Sequence, residues 1–355
     1  MKPCLLEYSE RQISDIIVPW GQPSFRGRQI LEGLFSGKDF DGMSNLPAAL
    51  KQRLNAEYTG APVGIERKFE SKDGTVKYLF KLADGELIEG VLMSYKYGKT
   101  LCISTQISCR MGCAFCASGA DGLKRNLTAS EMLGQVVSVN RDDGGGAERA
   151  VTNVVLMGSG EPLDNYDNVS KFLERISSPD TINISERNIS VSTAGIPDKI
   201  ISFADDGRRF NLTVSLHAPT DKKRSEIMPV NKAFGIDKVI AAARYYFDKT
   251  GRRVIFEYSM IDGFNDFEDD AAALASLLRA MPCHVNLIRL NAVAGKSLSP
   301  SRPEAVKAFL SILQNAGISS TLRRILGSDI EGACGQLRRR YKAENLKTEE
   351  REYEK

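Results

Sequence analysis

The sequence predicts an α/β fold assembled from repeated strand–helix units. Short apolar runs recur from about residue 100 onward, and helix-like segments separate them. Six runs are recognised: Leu101 to Ile107, Val151 to Met157, Asn188 to Ser192, Asn211 to Leu216, Arg253 to Met260 and Val285 to Leu290. Such runs are typical of strands buried on both faces of a parallel sheet. Periodicity alone fits a partial barrel and an open doubly wound sheet equally well.

Helices are predicted after these strands, at about 129–141, 166–178, 197–206, 236–249, 267–280 and 303–316. Several of them begin with recognisable start signals. Thr128 and Glu131 form a capping-box pattern, and Pro197 and Pro303 stand in the first helical turn, where proline is favoured. The regular alternation of strand and helix indicates βα units rather than separate helical and sheet domains.

The chain divides into three predicted parts. Residues 1–88 form a small N-terminal accessory domain, residues 89–342 form the larger domain, and residues 343–355 form a charged tail. Within the accessory domain, helical pieces are predicted at Ile13 to Trp20, Gly27 to Phe35 and Leu46 to Ala56, and strands at Lys77 to Leu82 and Leu87 to Leu92. The tail mixes both signs of charge, which is typical of a solvated terminus.

Composition excludes several classes of protein. The 355 residues carry a net charge of +3 and are 42% apolar, an ordinary globular balance. No stretch approaches the roughly 18 consecutive apolar residues of a membrane helix, and the N-terminus has no apolar signal segment. A cytoplasmic protein without a membrane span is therefore predicted. Its seven cysteines are an odd number, which favours metal or redox chemistry over a disulfide framework.

The strongest chemical signal is a cysteine cluster. Cys109, Cys113 and Cys116 lie within eight residues, directly after a predicted strand. Thiolates are soft ligands that suit zinc or an iron–sulfur cluster. Zinc would need a fourth tight ligand, whereas an iron–sulfur cube held by three cysteines leaves one iron open to a substrate or cofactor. Zinc and simple packing of the thiols are the alternatives.

Polar side chains follow the predicted strands at their carboxyl ends, where parallel α/β folds place their sites. Gly160 and Glu161 end the second run, where the glycine permits close backbone approach and the carboxylate can accept hydrogen bonds from an ammonium group. The third, fourth and sixth runs end at Ser192, at Ser215, Leu216 and His217, and at Asn291. Such groups suit the ribose, carboxylate and adenine of a polar cofactor. Taken singly, each is also explained as a turn or capping residue.

Two further cysteines stand apart from the cluster. Cys102 lies on the first predicted strand, seven residues before Cys109, and Cys334 lies in the glycine-rich segment Gly332-Ala-Cys334-Gly335. Burial in the core and a covalent catalytic role both explain such thiols, and the residues alone leave both interpretations open. Cys4 and Cys283 match no catalytic pattern and are interpreted as packing residues, and His284 as a structural residue.

These motifs resemble two nested families. CxxxCxxC with an aromatic residue before the last cysteine resembles the signature of the radical S-adenosylmethionine (SAM) enzymes. That resemblance implies a partial (βα)6 radical SAM barrel, a [4Fe-4S] cluster on Cys109, Cys113 and Cys116, and SAM chelating the fourth iron. Across about residues 20–342, the segments TLCISTQISCRMGCAFC, VLMGSGEPLDNYDNV, VSLHAPT, CHVNLI and SDIEGACGQL resemble the RlmN/Cfr family of RNA methyltransferases, most closely its RlmN type.

The resemblance implies an activity and a role for each catalytic residue. The enzyme would methylate C2 of one adenine in 23S ribosomal RNA and of one adenine in transfer RNA. Cys334 would carry the methyl group as S-methylcysteine, one SAM supplying the methyl and a second SAM the 5′-deoxyadenosyl radical. Cys102 would release the product through a transient disulfide with Cys334. Glu89 would accept the C2 proton, with Glu86 as the competing carboxylate. SAM would be bound by Gly160, Glu161, Ser192, Ser215, Leu216, His217 and Asn291.

The implied partners are the two RNAs and a flavodoxin-like electron donor, and a monomer is expected. Basic residues around Cys334 suit phosphate contacts or a solvated basic face: Arg323, Arg324, Arg338, Arg339, Arg340 and Lys342. Arg26, Arg28 and Lys51 are their counterparts in the accessory domain. Three alternatives remain: a Cfr-type C8 methyltransferase acting on the same ribosomal adenine, a non-catalytic iron–sulfur or zinc RNA-binding protein, and a radical SAM activase of a partner protein. The last two alternatives, the RNA-binding protein and the activase, assign no role to Cys102 or Cys334.

Overall fold

The computed structural model describes residues 2–144, 149–291 and 298–330, together with Leu337 and Tyr341. Its strands are β1 (Val63–Glu70), β2 (Val76–Leu82), β3 (Leu87–Tyr95), β4 (Gly98–Cys102), β5 (Gln106–Ile107), β6 (Arg125–Asn126), β7 (Val151–Leu156), β8 (Ile189–Thr193), β9 (Asn211–Ser215), β10 (Val254–Met260), β11 (Cys283–Arg289) and β12 (Ser320–Leu322). Its α-helices are α1 (Glu10–Ile17), α2 (Arg26–Phe35), α3 (Ala48–Glu57), α4 (Ala129–Asp143), α5 (Tyr166–Ser177), α6 (Pro197–Asp205), α7 (Asp221–Ile227), α8 (Ile236–Thr250), α9 (Glu268–Leu278) and α10 (Pro303–Asn315).

One sheet of ten strands organises the molecule, in the order β1-β2-β3-β4-β7-β8-β9-β10-β11-β12. From β4 to β12 neighbouring strands are parallel, whereas β1 to β4 pair antiparallel. The predicted βα alternation is therefore present, with an antiparallel extension at one edge. Among the described residues, no helix is both long and apolar enough to cross a bilayer.

Four elements, β1, β6, β12 and α7, were not predicted, and one predicted strand is divided. β1 is largely exposed and charged, so it lacks an apolar pattern. β12 has three residues, of which two are exposed. α7 is short and highly charged, and its signal is the Thr220 cap, whose side chain accepts a hydrogen bond from Lys223 N. The first apolar run is not one strand, because β4 ends at Cys102 and the two residues of β5 pair with β6 instead.

The accessory region and the larger domain share the sheet. The predicted boundary at residue 88 falls inside β3, which pairs with β2 on one side and β4 on the other. One hydrophobic core extends from Leu54 of α3 through Phe80 and Ile88 to Phe256 of β10. The two parts are therefore joined by backbone hydrogen bonds as well as by apolar packing.

The face of the sheet that is turned away from this core is here called the inner face. It carries most of the polar side chains of the sheet. Residues alternate between the two faces of a strand, so the neighbours of the core residues point inward. The inner face includes Lys77, Glu89, Val91, Cys102, Val155, Ser192, Ser215, Glu257, Ser259, Asn286, Ile288, Thr321 and Arg323. This polar face is where a ligand can be held without disturbing the core.

Candidate active site

A pocket opens at the carboxyl ends of the parallel strands, as the fold class predicts. Its empty volume is about 840 Å³ including the part open to solvent. Eight predicted site residues line it: Cys109, Cys113, Cys116, Gly160, Glu161, Ser192, Ser215 and His217. The structure therefore brings together residues that are up to about a hundred positions apart in the sequence.

The cysteine loop is held against the strand ends by apolar packing. Gly112 has a φ of +67°, a conformation that glycine adopts without strain. Ala114 N donates to Ile227 O at 2.8 Å. The side chains of Met111, Cys113 and Phe115 pack on the apolar group formed by Ala194, Ala218, Ile227, Met228, Ile261 and Leu290. The loop is thus fixed with its thiols at the pocket wall.

Burial makes these thiols poor acids by themselves. It raises the pKa of Cys109 and of Cys113 to about 12, and repulsion from neighbouring thiols and from Glu161 adds to the shift. A bound cation would lower the pKa of these two thiols again. Iron is a suitable cation because it binds soft thiolate ligands. No group of three or more His, Cys, Asp or Glu side chains in the described parts of the chain converges on a single metal ion. A cube does not require such convergence, because each cysteine bonds a different iron.

Glu161 lines the same pocket and is buried. Its Oε1 accepts from Leu163 N at 3.0 Å and its Oε2 from Ala194 N at 2.6 Å. Burial raises the pKa of Glu161 to about 7, although these N–H donors act in the other direction. A ligand ammonium group would oppose the desolvation and favour the carboxylate.

The turn before Glu161 requires its glycines. Gly160 has a φ of +115°, and a Cβ there would lie 2.7 Å from Gln106 N. A Cβ on Gly158 would lie 2.5 Å from Ile103 O. The turn therefore lies directly against the chain that follows β4, and this contact places Glu161 at the pocket.

Arg224 of α7 supports the ends of two strands and was missed by the sequence analysis. It is completely buried, and its guanidinium donates to Ala194 O at 2.5 Å, Ser215 O at 3.1 Å and Leu216 O at 3.1 Å. These carbonyls belong to the residues that follow or end β8 and β9. The available signal was weak, because an arginine on a short charged helix is usually a surface residue.

His217 is buried in its neutral form. Its Nδ1 accepts from Ser259 N at 2.9 Å, so the proton lies on Nε2. Burial, reinforced by the nearby Arg224, lowers the pKa of His217 to about 3. Its ring contacts the edge of Phe115 in the cysteine loop, with centroids 4.6 Å apart. His217 can therefore donate a hydrogen bond to a ligand, but it does not carry a charge at neutral pH.

The remaining predicted site residues lie elsewhere. Leu216 is buried, and its backbone N donates to Glu257 O at 3.0 Å. Asn291 is exposed just after β11 and is not among the described residues that line the pocket. Cys334 lies outside the described residues, as do Arg338, Arg339, Arg340 and Lys342. The structure contains no disulfide among the six cysteines that it describes.

Cys102 and Glu89 share the inner face beside the pocket. Cys102 pairs with Val91 across β3 and β4, and Glu89 is two residues before Val91, so the two side chains are diagonal neighbours with Cβ atoms about 7–8 Å apart. Cys102 belongs to an apolar group that includes Met157, which also lines the pocket. Cys102 and Glu89 therefore lie next to the pocket without lining it, and the Met157 side chain connects the Cys102 group to the pocket.

A buried ion pair holds Glu89. Lys77 Nζ lies 3.1 Å from Glu89 Oε2, and the two side chains are 0% and 3% exposed. Glu86, the competing carboxylate, forms an ion pair with the exposed Lys124. The structure thus separates the two carboxylates by environment, one buried beside Cys102 and the other in a surface pair.

The predicted basic residues of the accessory region are engaged locally. Arg28 pairs with Glu32 at 2.8 Å, Arg26 Nη1 donates to Asn45 O at 3.0 Å, and Lys51 Nζ donates to Asp41 O at 3.0 Å. These side chains are exposed or nearly so, and such surface interactions are weak enough to yield to a phosphate.

Comparison with known proteins identifies the family. The chain is 46% identical to "Probable dual-specificity RNA methyltransferase RlmN" of Clostridium botulinum strain Eklund 17B, over 98% of each chain. It is 48% identical to the protein of the same name from Lachnoclostridium phytofermentans, over 90% of each chain. The chain belongs to the RlmN family of radical SAM RNA methyltransferases. The model of the Radical SAM superfamily matches residues 103–275 of this RlmN-family chain.

The predicted fold of this RlmN-family protein is confirmed. The crystal structure of a radical SAM methyltransferase from Sphaerobacter thermophilus matches it with a TM-score of 0.90 at 40% identity, covering 94% of this chain and 98% of that chain. The α/β class and the radical SAM barrel follow from this match and from the parallel strands. The family implies a [4Fe-4S] cluster and SAM, which the three thiols at the pocket wall and the buried Glu161 fit.

Replacing one cluster cysteine tests the ligand assignment. In the Cys113→Ser variant, purified without oxygen, we expect loss of the brown iron–sulfur absorbance, because the serine hydroxyl is a much harder ligand than thiolate. Visible absorption and iron content per chain are the measurements. Cys283→Ser is the matched control, since Cys283 is buried in the core on β11. An unchanged spectrum for Cys113→Ser would refute the assignment.

Proposed function

We propose that this protein methylates C2 of adenine in 23S ribosomal RNA and in transfer RNA, with Cys334 as the methyl carrier. The observation that carries the proposal is the placement of Cys102 and Glu89 together on the inner face, beside a pocket lined by the three cysteines. The name of the relatives, dual-specificity RNA methyltransferase, supports both RNA substrates. Two SAM molecules per turnover, a flavodoxin-like electron donor, action as a monomer and a cytoplasmic location belong to the same proposal.

The chemistry explains why a protein thiol is needed. C2 of adenine is an electron-poor carbon and not a nucleophile, so it cannot displace the methyl group of SAM directly. When bound, the cluster and SAM supply the electron and the hydrogen-abstracting radical that this carbon requires. The Cys334 sulfur holds the one-carbon unit as it is attached to C2, which leaves protein and RNA covalently joined.

Described residues on both sides of Cys334 support its proposed position. Leu326 packs in the apolar group that contains Cys102, and Leu337 packs against Leu79 and Leu87 on the inner face of β2 and β3. Gly327 N also donates to Asp73 Oδ2 at 2.8 Å. Two residues separate Cys334 from Leu337, and the three residue steps between them span at most about 11 Å. A thiol at position 334 is therefore within a short reach of this face.

Cys102 and Glu89 complete the proposed reaction. The Cys102 thiolate attacks the Cys334 sulfur, breaks its bond to the transferred carbon and forms a disulfide with it. Before this attack the adduct loses its unpaired electron, which the cluster would accept when bound, and its C2 proton, which passes to Glu89. The released carbon then takes up a proton to become the methyl group. Glu89 is preferred over Glu86 because it is buried on the same face as Cys102.

SAM is assigned to the pocket residues. Glu161 would accept hydrogen bonds from the SAM ammonium group, since both its oxygens are fixed by backbone donors and retain lone pairs. Ser192, Ser215 and His217 offer hydroxyl and Nε2–H groups on adjacent strands. Gly160 and Leu216 contribute backbone at the turn and at the end of β9. Asn291 remains a proposed adenine contact from the end of β11.

Identification of the modified carbon tests the proposed activity. The anaerobically reconstituted enzyme would be given SAM, reductant and either a 23S RNA fragment or transfer RNA that lacks the modification. Digestion to nucleosides and mass spectrometry against standards should give 2-methyladenosine from both RNAs. Formation of 8-methyladenosine would support the Cfr-type alternative instead, and SAM cleavage without RNA methylation would sink the proposal.

Lys77 offers a test of the proposed base. Its ammonium lies beside the buried Glu89 carboxylate, and removing one partner of a buried ion pair disturbs the other. If Glu89 accepts the C2 proton, the Lys77→Met variant should therefore release product about tenfold or more slowly.

The matched control for this prediction is Lys124→Met, which breaks the ion pair of Glu86 at the surface. We expect its rate of product release to be unchanged. Single-turnover measurements of product release, with melting temperatures for both variants, provide the comparison. Slower release by Lys124→Met and unchanged release by Lys77→Met would assign the proton to Glu86.

A further inference from the structure

Glu257 of β10 lines the pocket and has a buried carboxylate oxygen without a hydrogen bond. The residue lines the pocket, and its side chain is 5% exposed. Its Oε2 has no hydrogen-bond partner. The nearest cation is the half-exposed Arg323, whose Nη1 lies 3.8 Å away, beyond hydrogen-bond distance. An acceptor left in this state is costly unless a ligand supplies the missing donor.

A line of hydrogen bonds fixes the orientation of this carboxylate. Asn286 Nδ2 donates to Glu257 Oε1 at 3.1 Å, and Thr321 Oγ1 donates to Asn286 Oδ1 at 3.0 Å. His284 Nε2 lies 2.9 Å from Thr321 Oγ1, and its Nδ1 lies 2.8 Å from Ser319 Oγ. Because the threonine hydroxyl donates onward, His284 Nε2 must donate to it. With Oε1 held in this way, the carboxylate is fixed and Oε2 is left available for another donor.

The neighbours of Glu257 indicate the kind of ligand. Ser215 is its register partner on β9, and both side chains line the pocket together with Ser192 of β8. These three residues present acceptor oxygens on successive strands. A carboxylate attracts hydroxyl and amino donors and repels a ligand carboxylate. The vicinal hydroxyls of a ribose match this wall, in the same way that acidic residues hold ribose in other nucleotide sites.

The electrostatic surroundings of the Glu257 carboxylate are consistent with a hydrogen-bond donor on the ligand. Burial raises the pKa of Glu257, while Arg323 and the Asn286 amide act against this shift. A hydroxyl donor at Oε2 would add a further contribution in favour of the ionised form.

We propose that Glu257 Oε2 accepts a hydrogen bond from a ribose hydroxyl of SAM. Asn286 positions the carboxylate and does not touch the ligand. This inference rests on the proposed binding of SAM in the pocket, and it adds a specificity residue that neither motif nor spacing indicated.

A binding cycle tests the proposal without relying on turnover. Calorimetry would measure the affinity of the cluster-loaded protein for S-adenosylhomocysteine and for its 2′-deoxy and 3′-deoxy forms. For the wild type, loss of the recognised hydroxyl should weaken binding about ten- to hundredfold, the range for a hydrogen bond to a charged group. The Glu257→Ala variant should bind S-adenosylhomocysteine as weakly as the wild type binds that deoxy form, and should no longer distinguish the two.

Controls separate this inference from the proposed function. Glu226→Gln changes an exposed carboxylate on α7 and should retain the wild-type discrimination. If Glu257→Ala does not fold, Glu257→Gln keeps the shape, and its discrimination should fall below the wild-type value. Full discrimination in a folded Glu257 variant, or none in the wild type, would overturn the role of Glu257. Failure of the wild type to bind S-adenosylhomocysteine at all would instead count against SAM binding in the pocket.

Discussion

The Cys334→Ala variant is expected to retain its iron–sulfur absorbance and slow SAM cleavage while forming no methylated RNA. The physical reason is that C2 of adenine cannot take the methyl group directly, and alanine has no sulfur to carry it. Complete loss of methyl transfer is therefore expected rather than a partial decrease. Nucleoside mass spectrometry would measure the product, and chromatography of 5′-deoxyadenosine would measure SAM cleavage in the same reaction.

A second readout locates the methyl group on the protein. With isotope-labelled SAM, the wild-type peptide that contains Cys334 should gain one labelled methyl group, and the alanine variant should gain none. Cys283→Ala is the matched control, because Cys283 is a core residue of β11 that contacts neither the pocket nor Cys102. Methylated RNA from Cys334→Ala, or an unmodified Cys334 peptide in active wild type, would remove the carrier mechanism.

The Cys102→Ala variant is expected to accumulate a covalent adduct between protein and RNA. Without the second thiol, the bond between the Cys334 sulfur and the transferred carbon has no attacking group, so the adduct persists. Cys102 is 6% exposed in the apolar group with Val91 and Met157. Alanine fits such a site at the cost of a small cavity, so the variant should fold.

Denaturing gels with labelled RNA provide the measurement. The adduct should appear as a retarded band that nuclease removes and thiol reagents do not. The double variant Cys102→Ala/Cys334→Ala should show no band, because it lacks the carrier sulfur. Normal product release without an adduct in Cys102→Ala would contradict the resolving role of this thiol.

Much of the barrel was predictable because its local signals agree with its tertiary structure. α4 illustrates this: its Thr128 and Glu131 pattern forms the predicted capping box, and the helix begins at Ala129 as expected. The strand β10 is buried along almost its whole length, on both faces, and was therefore recognised from its sequence. β1 and β12 escaped prediction because edge strands expose charged or polar residues and so lose that pattern.

The site residues that lie in short sequence motifs were predictable. Those whose role depends on the register between neighbouring strands were not. Cys109, Cys113, Cys116 and Glu161 stand in recognisable local patterns, and they do line one pocket. Lys77 and Glu257 lie inside strands without any motif, and their roles depend on which neighbour faces them. Pairing of that kind is set by the whole sheet and leaves no signal in a single segment.

The shared sheet has a consequence for how this protein can be divided. Removing residues 1–88 would cut through β3 and separate Glu89 from Lys77. It would also leave β3 without its partner β2 and so create an exposed sheet edge, which favours aggregation. The N-terminal part therefore supplies strands and a buried lysine to the sheet that carries Glu89 and Cys102, and a shortened protein must keep it.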